Sequence, residues 1–159
     1  YSLAIGDLNA DGKPDLAVAN GSANSVSVLK NTGSAGTISF AAKVDFTAGN
    51  LPAAVAIGDL NADNKPDIAV VNYGSSSMSL FKNTSLSGVI SFGSKQDFQT
   101  GSSPTGIAIA DIDADSQPDL ISSNGSSNTV SVLRNTSSSG NFSFVAKMDF
   151  VAGDRKSVV

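Results

Sequence analysis

The sequence predicts an all-β protein, and three observations support this prediction. A unit of 52 residues recurs three times along the 159-residue chain. All fourteen acidic residues are Asp, which favours turns and caps, whereas Glu, a good helix former, is absent. Short apolar runs alternate with Ser, Asn and Gly, and no window of about eleven residues sustains a helical period. We therefore predict strands joined by turns along the whole chain.

The repeat runs without insertion or deletion. The stretch DLNADGKPDLAVAN begins at Asp7, and it returns as DLNADNKPDIAVVN from Asp59 and as DIDADSQPDLISSN from Asp111. The later part of the unit recurs at the same offset, as SVSVLKNT, SMSLFKNT and TVSVLRNT. The predicted divisions are repeats over 1–52, 53–104 and 105–156, with 157–159 beginning the first strand of a further repeat.

Each repeat contains four β-like runs. In the first copy they are YSLAIG, DLAVAN, SVSVLKN and ISFAAKVDF, separated by an Asp-rich loop, an NGSAN turn and an NTGSAG turn. Four strands in a repeat of this length are typical of a β-propeller blade or a related array. We therefore predict a propeller-type array of three four-stranded antiparallel blades. Six equivalent Phe side chains are expected to pack between blades: Phe40, Phe92, Phe144, Phe46, Phe98 and Phe150.

Composition excludes several function classes. The chain has no Cys and no His, so it offers neither a disulfide, a thiolate site, nor the commonest general base. A net charge of −4 argues against a nucleic-acid-binding surface. No run of about eighteen apolar residues occurs, so no segment is expected to span a membrane.

The Asp-rich loop has the donor pattern of a calcium site. In the first repeat, side-chain oxygens occur at alternate positions, on Asp7, Asn9 and Asp11, and a further carboxylate follows at Asp15. Calcium takes six to eight oxygen ligands, and a curled loop with alternating oxygens can supply most of them. Ten of the fourteen carboxylates lie in the three loops, where their mutual repulsion would oppose folding unless a cation were bound. The competing interpretation is three Asx-rich turns that need no metal.

The pattern DxNxDGxxDL on a β-rich repeat resembles the FG-GAP (VCBS-type) repeat of integrin α-subunit propellers and of secreted bacterial proteins. The resemblance covers the whole chain and implies one Ca²⁺ in each loop. It implies ligands at loop positions one, three, five and nine, together with the backbone carbonyl of position seven. The implied ligands are Asp7, Asn9, Asp11, Lys13 and Asp15; Asp59, Asn61, Asp63, Lys65 and Asp67; and Asp111, Asp113, Asp115, Gln117 and Asp119.

The loops differ at position six and at position three. Position six is Gly12, Asn64 and Ser116 in turn, and Ser is the residue least suited to a positive φ. Position three is Asp113 in the third loop, where the others have Asn, which adds charge that attracts a cation. These two differences act in opposite directions on the third site.

The sequence favours a non-catalytic structural or adhesive module of a secreted or cell-surface protein. A Ser or Thr nucleophile would have no His to activate it, and most carboxylates lie in the loops. Two alternatives stay open. The first is a carbohydrate-binding, lectin-like propeller, although the chain has no Trp and only two Tyr residues for a sugar platform. The second is an accessory repeat domain of a larger secreted enzyme.

Three further features of the sequence lead to predictions. Lys43 and Asp45, with their equivalents in the other repeats, are expected to form charge pairs on a solvated edge strand, or else a partner-binding stripe. Asn-x-Ser sequons occur at Asn20, Asn83, Asn124, Asn135 and Asn141. Because three blades are too few to close a ring, we expect further repeats or further copies to join the chain ends, between residues near Leu3–Ile5 and those near Ser157–Val159.

Overall fold

The computed structural model describes residues 2–138 and 140–153, and they form an all-β protein as predicted. The first sheet contains β1 (Ser2–Gly6), β2 (Asp15–Asn20), β3 (Ser25–Leu29) and β4 (Val44–Thr47). The second contains β5 (Pro52–Gly58), β6 (Asp67–Asn72), β7 (Ser77–Phe81) and β8 (Gln96–Gln99). The third contains β9 (Pro104–Ala110), β10 (Asp119–Asn124), β11 (Thr129–Leu133) and β12 (Met148–Val151).

Each sheet is an antiparallel meander in which neighbouring strands follow one another along the chain. This confirms the prediction of three four-stranded antiparallel sheets. Strands β5 and β9 begin at Pro52 and Pro104, the last residues of the predicted first and second repeats, so the sheets start slightly before those divisions. Residues 157–159, the predicted start of a further repeat, lie outside the described part of the chain.

Three kinds of connection recur in every sheet. The Asp loop joins the first strand to the second, and a tight turn joins the second to the third. That turn requires a left-handed residue, supplied by Asn24, Ser76 and Asn128 with φ of 51°, 50° and 53°. A long hairpin, residues 31–40 in the first repeat, precedes the fourth strand and is held by the bridges Asn31↔Phe40 and Ser34↔Thr37.

The sheets pack face to face in chain order, and the second sheet is buried on both faces. Two apolar clusters form the core, one between the first and second sheets and one between the second and third. The first cluster includes Val26, Val28, Val55, Ile68 and Val70. The second includes Ala69, Met78, Leu80, Leu120 and Leu133. Alternation along each strand supplies a side chain to each face in turn, so one strand of the second sheet contributes to both clusters.

Four of the six equivalent Phe residues pack between sheets as expected. Phe46 meets Phe92 edge to face with ring centroids 5.3 Å apart, and Phe98 meets Phe144 in the same way at 5.2 Å. The expectation is wrong for Phe150, which is 55% exposed, because no described residue packs against that face of the third sheet. Phe40, on the first hairpin, is only half-buried.

The edge strands carry the expected charge pairs. Lys43 pairs with Asp45 on β4, and equivalent pairs form between Lys95 and Asp97 on β8 and between Lys147 and Asp149 on β12. Hydrogen bonds from Lys43 and from Ser27 lower the pKa of Asp45. Among the described residues, no helix is long and apolar enough to cross a membrane.

Candidate metal centres

The three Asp loops share one backbone conformation. Each connects the first strand of its sheet to the second, and each has positive φ at loop positions four and six. The values are 56° at Ala10 and 80° at Gly12, 57° at Ala62 and 62° at Asn64, and 61° at Ala114 and 69° at Ser116. Position six therefore does require a left-handed residue, and Ser116 adopts this conformation although Ser disfavours it. The left-handed Ala at position four was not expected from the sequence.

Backbone N–H groups curl each loop around its first Asp. The Asp7 carboxylate accepts hydrogen bonds from the N–H groups of Asp11 at 3.2 Å and Gly12 at 2.8 Å. Asp59 and Asp111 accept the equivalent bonds, from Asn64 at 2.8 Å and from Ser116 at 2.9 Å. These bonds hold the oxygens of positions one, three and five on one short curled segment.

In the third loop the carboxylates of these positions converge. One oxygen from each of Asp111, Asp113 and Asp115 lies within 4.8 Å of the others, and all three residues are exposed. Asn9 and Asn61 occupy the middle position in the other loops, and the amide oxygen of each accepts the N–H of the Asp at position five, at 3.0 and 3.1 Å. The structure thus brings together the predicted side chains of positions one, three and five in the third loop.

The predicted position-nine ligands are buried at the start of the second strand of each sheet. Asp15 accepts hydrogen bonds from the N–H groups of Leu8 at 3.0 Å and Asn31 at 2.8 Å. Asp67 and Asp119 make the equivalent bonds with Leu60 and Asn83, and with Ile112 and Asn135. This carboxylate therefore ties its loop to the end of the third strand.

Burial perturbs the Asp15 and Asp67 carboxylates because it removes solvation from the charged form. Burial raises the pKa of Asp15, and it raises the pKa of Asp67 to about 6. The charges of Asp63 and Asp59 add to the effect at Asp67, while two backbone N–H groups oppose it. Among the described residues, no Lys or Arg forms an ion pair with Asp15, Asp67 or Asp119. A buried carboxylate without a cation is costly, and this fits a bound metal ion.

At loop position seven, the side chains contribute little to the predicted metal sites. Lys13 donates its ammonium group to the Gly33 carbonyl at 2.7 Å, and Lys65 donates to the Ser85 carbonyl at 2.9 Å. These side chains lie along the following hairpin of the same repeat, which leaves the backbone carbonyl as the group available to the loop. At Gln117 the side-chain oxygen is buried and accepts no hydrogen bond from a described residue.

Two classes of residue near the loops had no role assigned from the sequence. The first is the cation at the end of each third strand. Lys30 lies 3.7 Å from the Asp11 carboxylate, and Arg134 lies 3.6 Å from that of Asp113. These residues could have been identified from the sequence, because a basic residue precedes Asn-Thr in every repeat.

The second class is an Asn that joins the first and the second loop to the repeat that follows. Asn83 donates its side-chain amide to the Leu8 carbonyl of the first loop at 2.9 Å and to the Pro66 carbonyl of its own loop at 2.7 Å. Asn135 repeats this arrangement with Leu60 and Pro118. Asn83 and Asn135 are also sequon residues, and their burial makes them unavailable as glycosylation acceptors in the folded chain.

The hairpin of each later repeat also contacts the preceding loop through its backbone. The Gly88 N–H donates to the Asn9 carbonyl at 3.1 Å, and the Gly140 N–H donates to the Asn61 carbonyl at 3.1 Å. The first and second Asp loops are therefore covered by the repeat that follows, whereas no described residue covers the third in this way.

Comparison with known proteins agrees with this architecture. The sequence model of the FG-GAP-like repeat matches residues 7–70 and 59–122, and each match begins at an Asp loop and includes the next one. A search of curated proteins found no match. The two matches together span well over half of the chain and start at the loops described above. The chain therefore belongs to the FG-GAP-like repeat family.

Proposed function

We propose that the chain is a non-catalytic, calcium-binding repeat module with one Ca²⁺ in each Asp loop. The observation that carries this proposal is the buried position-nine carboxylate, which has no cationic partner among the described residues although it lies beside two or three further acidic groups. Proteins neutralise or pair such groups. A divalent cation in the loop supplies the missing positive charge.

The chemistry of the donor set favours calcium over other metals. Every predicted donor is a carboxylate, amide or carbonyl oxygen, and the chain has no Cys or His for a softer metal. Mg²⁺ demands a near-ideal octahedron and keeps several waters, whereas Ca²⁺ accepts the irregular, crowded oxygen shells that loops supply. The residues that would hold the ions are those assigned above at positions one, three, five, seven and nine.

The bound ion would act as a structural tie. Asp15 begins the second strand and Asp7 follows the first, so one ion contacting both would fix the connection between β1 and β2. The same loop is bonded to the following repeat through Asn83 and Gly88. Calcium in the first and second loops would therefore stabilise both a sheet and its contact with the next sheet.

The sheets are proposed to be propeller blades in an extracellular scaffold or adhesive protein. Each sheet packs its face on the next in chain order, as blades do around a propeller axis. Millimolar calcium outside cells suits loops of this type, since extracellular modules bind Ca²⁺ at about 10⁻⁴–10⁻³ M. The chain offers no His or Cys for catalysis, and the proposed calcium ions would occupy its loop carboxylates.

A metal titration tests this function. Isothermal titration of the calcium-free chain with CaCl₂ is expected to reveal three sites, and MgCl₂ is expected to displace little of the bound calcium. The Asp11→Ala variant should lose one site, whereas Asp45→Ala, on a solvated strand, should retain all three. Absence of any calcium binding at millimolar concentration would refute the proposal.

A further inference from the structure

One basic side chain, that of Lys30, connects the first Asp loop to the hairpin of the second repeat. Its ammonium group lies 3.7 Å from the Asp11 carboxylate and donates a hydrogen bond to the carbonyl of Gly88, 58 residues further along the chain. Lys30 directly follows β3, so the end of a core strand fixes its backbone beside the loop. This side chain therefore contacts a predicted calcium ligand and the neighbouring repeat at the same time.

The backbone of Gly88 is held through both of its polar groups. Its N–H donates to the Asn9 carbonyl at 3.1 Å, and its carbonyl accepts the bond from Lys30. The Asn9 side-chain oxygen in turn accepts the N–H of Asp11 at 3.0 Å. These four residues form a closed ring of contacts between the loop and the hairpin, and Lys30 supplies the positive charge that faces Asp11.

The second repeat has an equivalent cation at the same kind of junction. A Cβ atom added to Gly140 would lie 3.3 Å from the Lys82 ammonium and 3.7 Å from a carboxylate oxygen of Asp63. Here the Gly140 carbonyl accepts a bond from the Asn61 amide at 3.3 Å. At the first junction the Asn9 amide nitrogen is buried and has no hydrogen-bond partner among the described residues. The hairpin carbonyl is thus bonded to the Lys at one junction and to the Asn of loop position three at the other.

The third repeat places its cation beside a different carboxylate. Arg134 lies 3.6 Å from Asp113, which occupies loop position three, where the other two loops have Asn. The basic residue therefore contacts the carboxylate that is added in this loop. In all three repeats a basic residue directly follows the third strand.

A fixed positive charge beside a ligand carboxylate has opposite effects with and without a bound metal ion. Without the ion, it balances the negative charge of the carboxylate. With the ion, it repels a divalent cation held by that same carboxylate. The side chains of Lys30 and Asp11 are only 32% and 21% exposed, so water and salt screen this repulsion incompletely.

We propose that Lys30 sets the calcium affinity of the first loop by competing with the ion for the Asp11 carboxylate. This inference rests on the proposed calcium-binding function. In the calcium-free chain, Lys30 takes the place of the ion, because it balances the charge of Asp11 and joins the loop to Gly88. In the calcium-bound chain, the same charge weakens binding, which shifts saturation of the loop to higher calcium concentrations. The equivalent positions of Lys82 and Arg134 give them the same role in their own loops.

Calcium titrations followed by NMR of backbone amides test the proposal for each loop separately. The N–H groups of Gly12, Asn64 and Ser116 report on the three loops, because each binds the first Asp of its own loop. Lys30→Met removes the charge but keeps most of the side-chain length. In this variant the first loop should bind calcium about three- to tenfold more tightly, with no change in the other two loops.

Two control variants separate the local charge from other effects. Lys43→Met makes the same change of net charge in the same repeat, but Lys43 pairs with Asp45 on β4, so all three affinities should stay unchanged. Lys30→Arg keeps the charge and should keep the affinity of the first loop. The amide spectrum of each calcium-free variant would verify that it is folded.

Urea unfolding in EDTA gives a readout that does not depend on bound calcium. Lys30→Met should lower the unfolding midpoint more than Lys43→Met, because Lys30 contacts both the loop and the following repeat, whereas Lys43 contacts a solvated carboxylate. Equal midpoints for the two variants would overturn the role of Lys30 in the calcium-free chain.

The titration distinguishes failure of this inference from failure of the proposed function. Unchanged or weaker calcium binding by the first loop of Lys30→Met would overturn the inference, although calcium binding by the loops would stand. An equally large gain of affinity in Lys30→Arg would also overturn it, because the charge would then not be the cause. Absence of calcium binding by every loop of the unmodified chain would refute the proposed function and this inference together.

Discussion

The Asn83 side chain donates a hydrogen bond to the backbone carbonyl of Leu8, 75 residues earlier in the chain, at 2.9 Å. The bond crosses the boundary between the first and second sheets and reaches the loop that follows β1. Both residues are almost fully buried. Because Asp15 binds the N–H of the same Leu8, this residue links the buried carboxylate of one repeat to the hairpin of the next.

Replacement of Asn83 by Ala should destabilise the chain. The change leaves the Leu8 and Pro66 carbonyls without this donor in a buried site, which costs about 1–3 kcal/mol for an unsatisfied group. Asn31→Ala is the matched control, since Asn31 donates within its own repeat at an exposed site. Urea unfolding in dilute solution measures the difference, and equal losses in the two variants would contradict the inter-repeat role of Asn83.

Asp11→Ala should destabilise the chain more than Asp45→Ala in calcium buffer. Asp11 is assigned as a ligand at loop position five, and its carboxylate also accepts the Lys13 N–H at 3.1 Å. Asp45 is exposed and pairs with Lys43, and surface pairs of this kind are worth about 0–1 kcal/mol. Thermal unfolding of the two variants compares them directly. Similar losses in both would break the assignment of Asp11.

Gly12→Ser and Ser116→Gly should change stability in opposite directions. Both residues occupy loop position six with positive φ, 80° at Gly12 and 69° at Ser116. A left-handed residue other than Gly costs about 1–2 kcal/mol, and the greater flexibility of Gly in the unfolded chain offsets about 0.5–1 kcal/mol of this. We expect a net change of about 0.5–1 kcal/mol in each variant, a loss for Gly12→Ser and a gain for Ser116→Gly.

A third variant controls for flexibility alone. Ser126→Gly changes an exposed Ser that has no positive φ, so it should not stabilise the chain. The urea midpoint of each variant, at an unchanged slope, reports the effect. A shift of Gly12→Ser and Ser116→Gly in the same direction would argue against backbone conformation as the cause.

In calcium-free solution, stability should fall as the pH rises through about 6. Burial raises the pKa of Asp67 to about 6, above its ordinary value of 3.8, so the folded chain binds this proton more tightly than the unfolded chain. The stability gained by protonation is fully present below pH 3.8 and is lost as the pH rises through about 6. Asp15 acts in the same direction, since burial also raises its pKa.

The Asp residues of the edge strands make the opposite contribution to stability, at lower pH. Asp45, Asp97 and Asp149 have lowered pKa values, so the stability that they contribute is present above 3.8 and is lost as the pH falls below it. Between about pH 4 and pH 7, the change in unfolding free energy therefore comes from the buried loop carboxylates. Unfolding free energies measured in resin-treated buffer should decline across this range, and Asp67→Asn should flatten the decline. A profile that the variant leaves unchanged would exclude Asp67 as its source.

The strands and the loop curl could be predicted from the sequence because both depend on local chemistry. The alternation of polar and apolar residues in SVSVL predicted β3. In the first loop, the Asp and Asn side-chain oxygens accept hydrogen bonds from N–H groups only two to five residues away. Because the 52-residue unit occurs three times, each prediction made for one copy also applied to the equivalent residues of the other two. The carboxylates of Asp111, Asp113 and Asp115, three of the residues singled out in this way, lie close together in the structure.

The features that could not be predicted depend on contacts between repeats. Asn83 has an ordinary turn-forming sequence context, and only the packing of two sheets brings it to Leu8. Phe150 is chemically equivalent to Phe46 and Phe98, yet it is exposed because its burial depends on a neighbouring sheet rather than on its own strand. Ala10 adopts a positive φ that Ala disfavours, since the hydrogen bonds of the loop outweigh its local preference.

Thermal unfolding in calcium and in EDTA tests the central claim most directly, namely that the Asp loops bind calcium and that the ions hold the fold together. At a free calcium concentration about a hundredfold above the dissociation constant, one site adds about 2.7 kcal/mol. A chain of this size gains about 2–4 °C for each kcal/mol, so even one saturated site should raise the melting temperature by more than about 5 °C. We predict a rise of at least this size on adding calcium, reversed by EDTA and not reproduced by magnesium. An identical melting temperature in calcium and in EDTA would contradict the account.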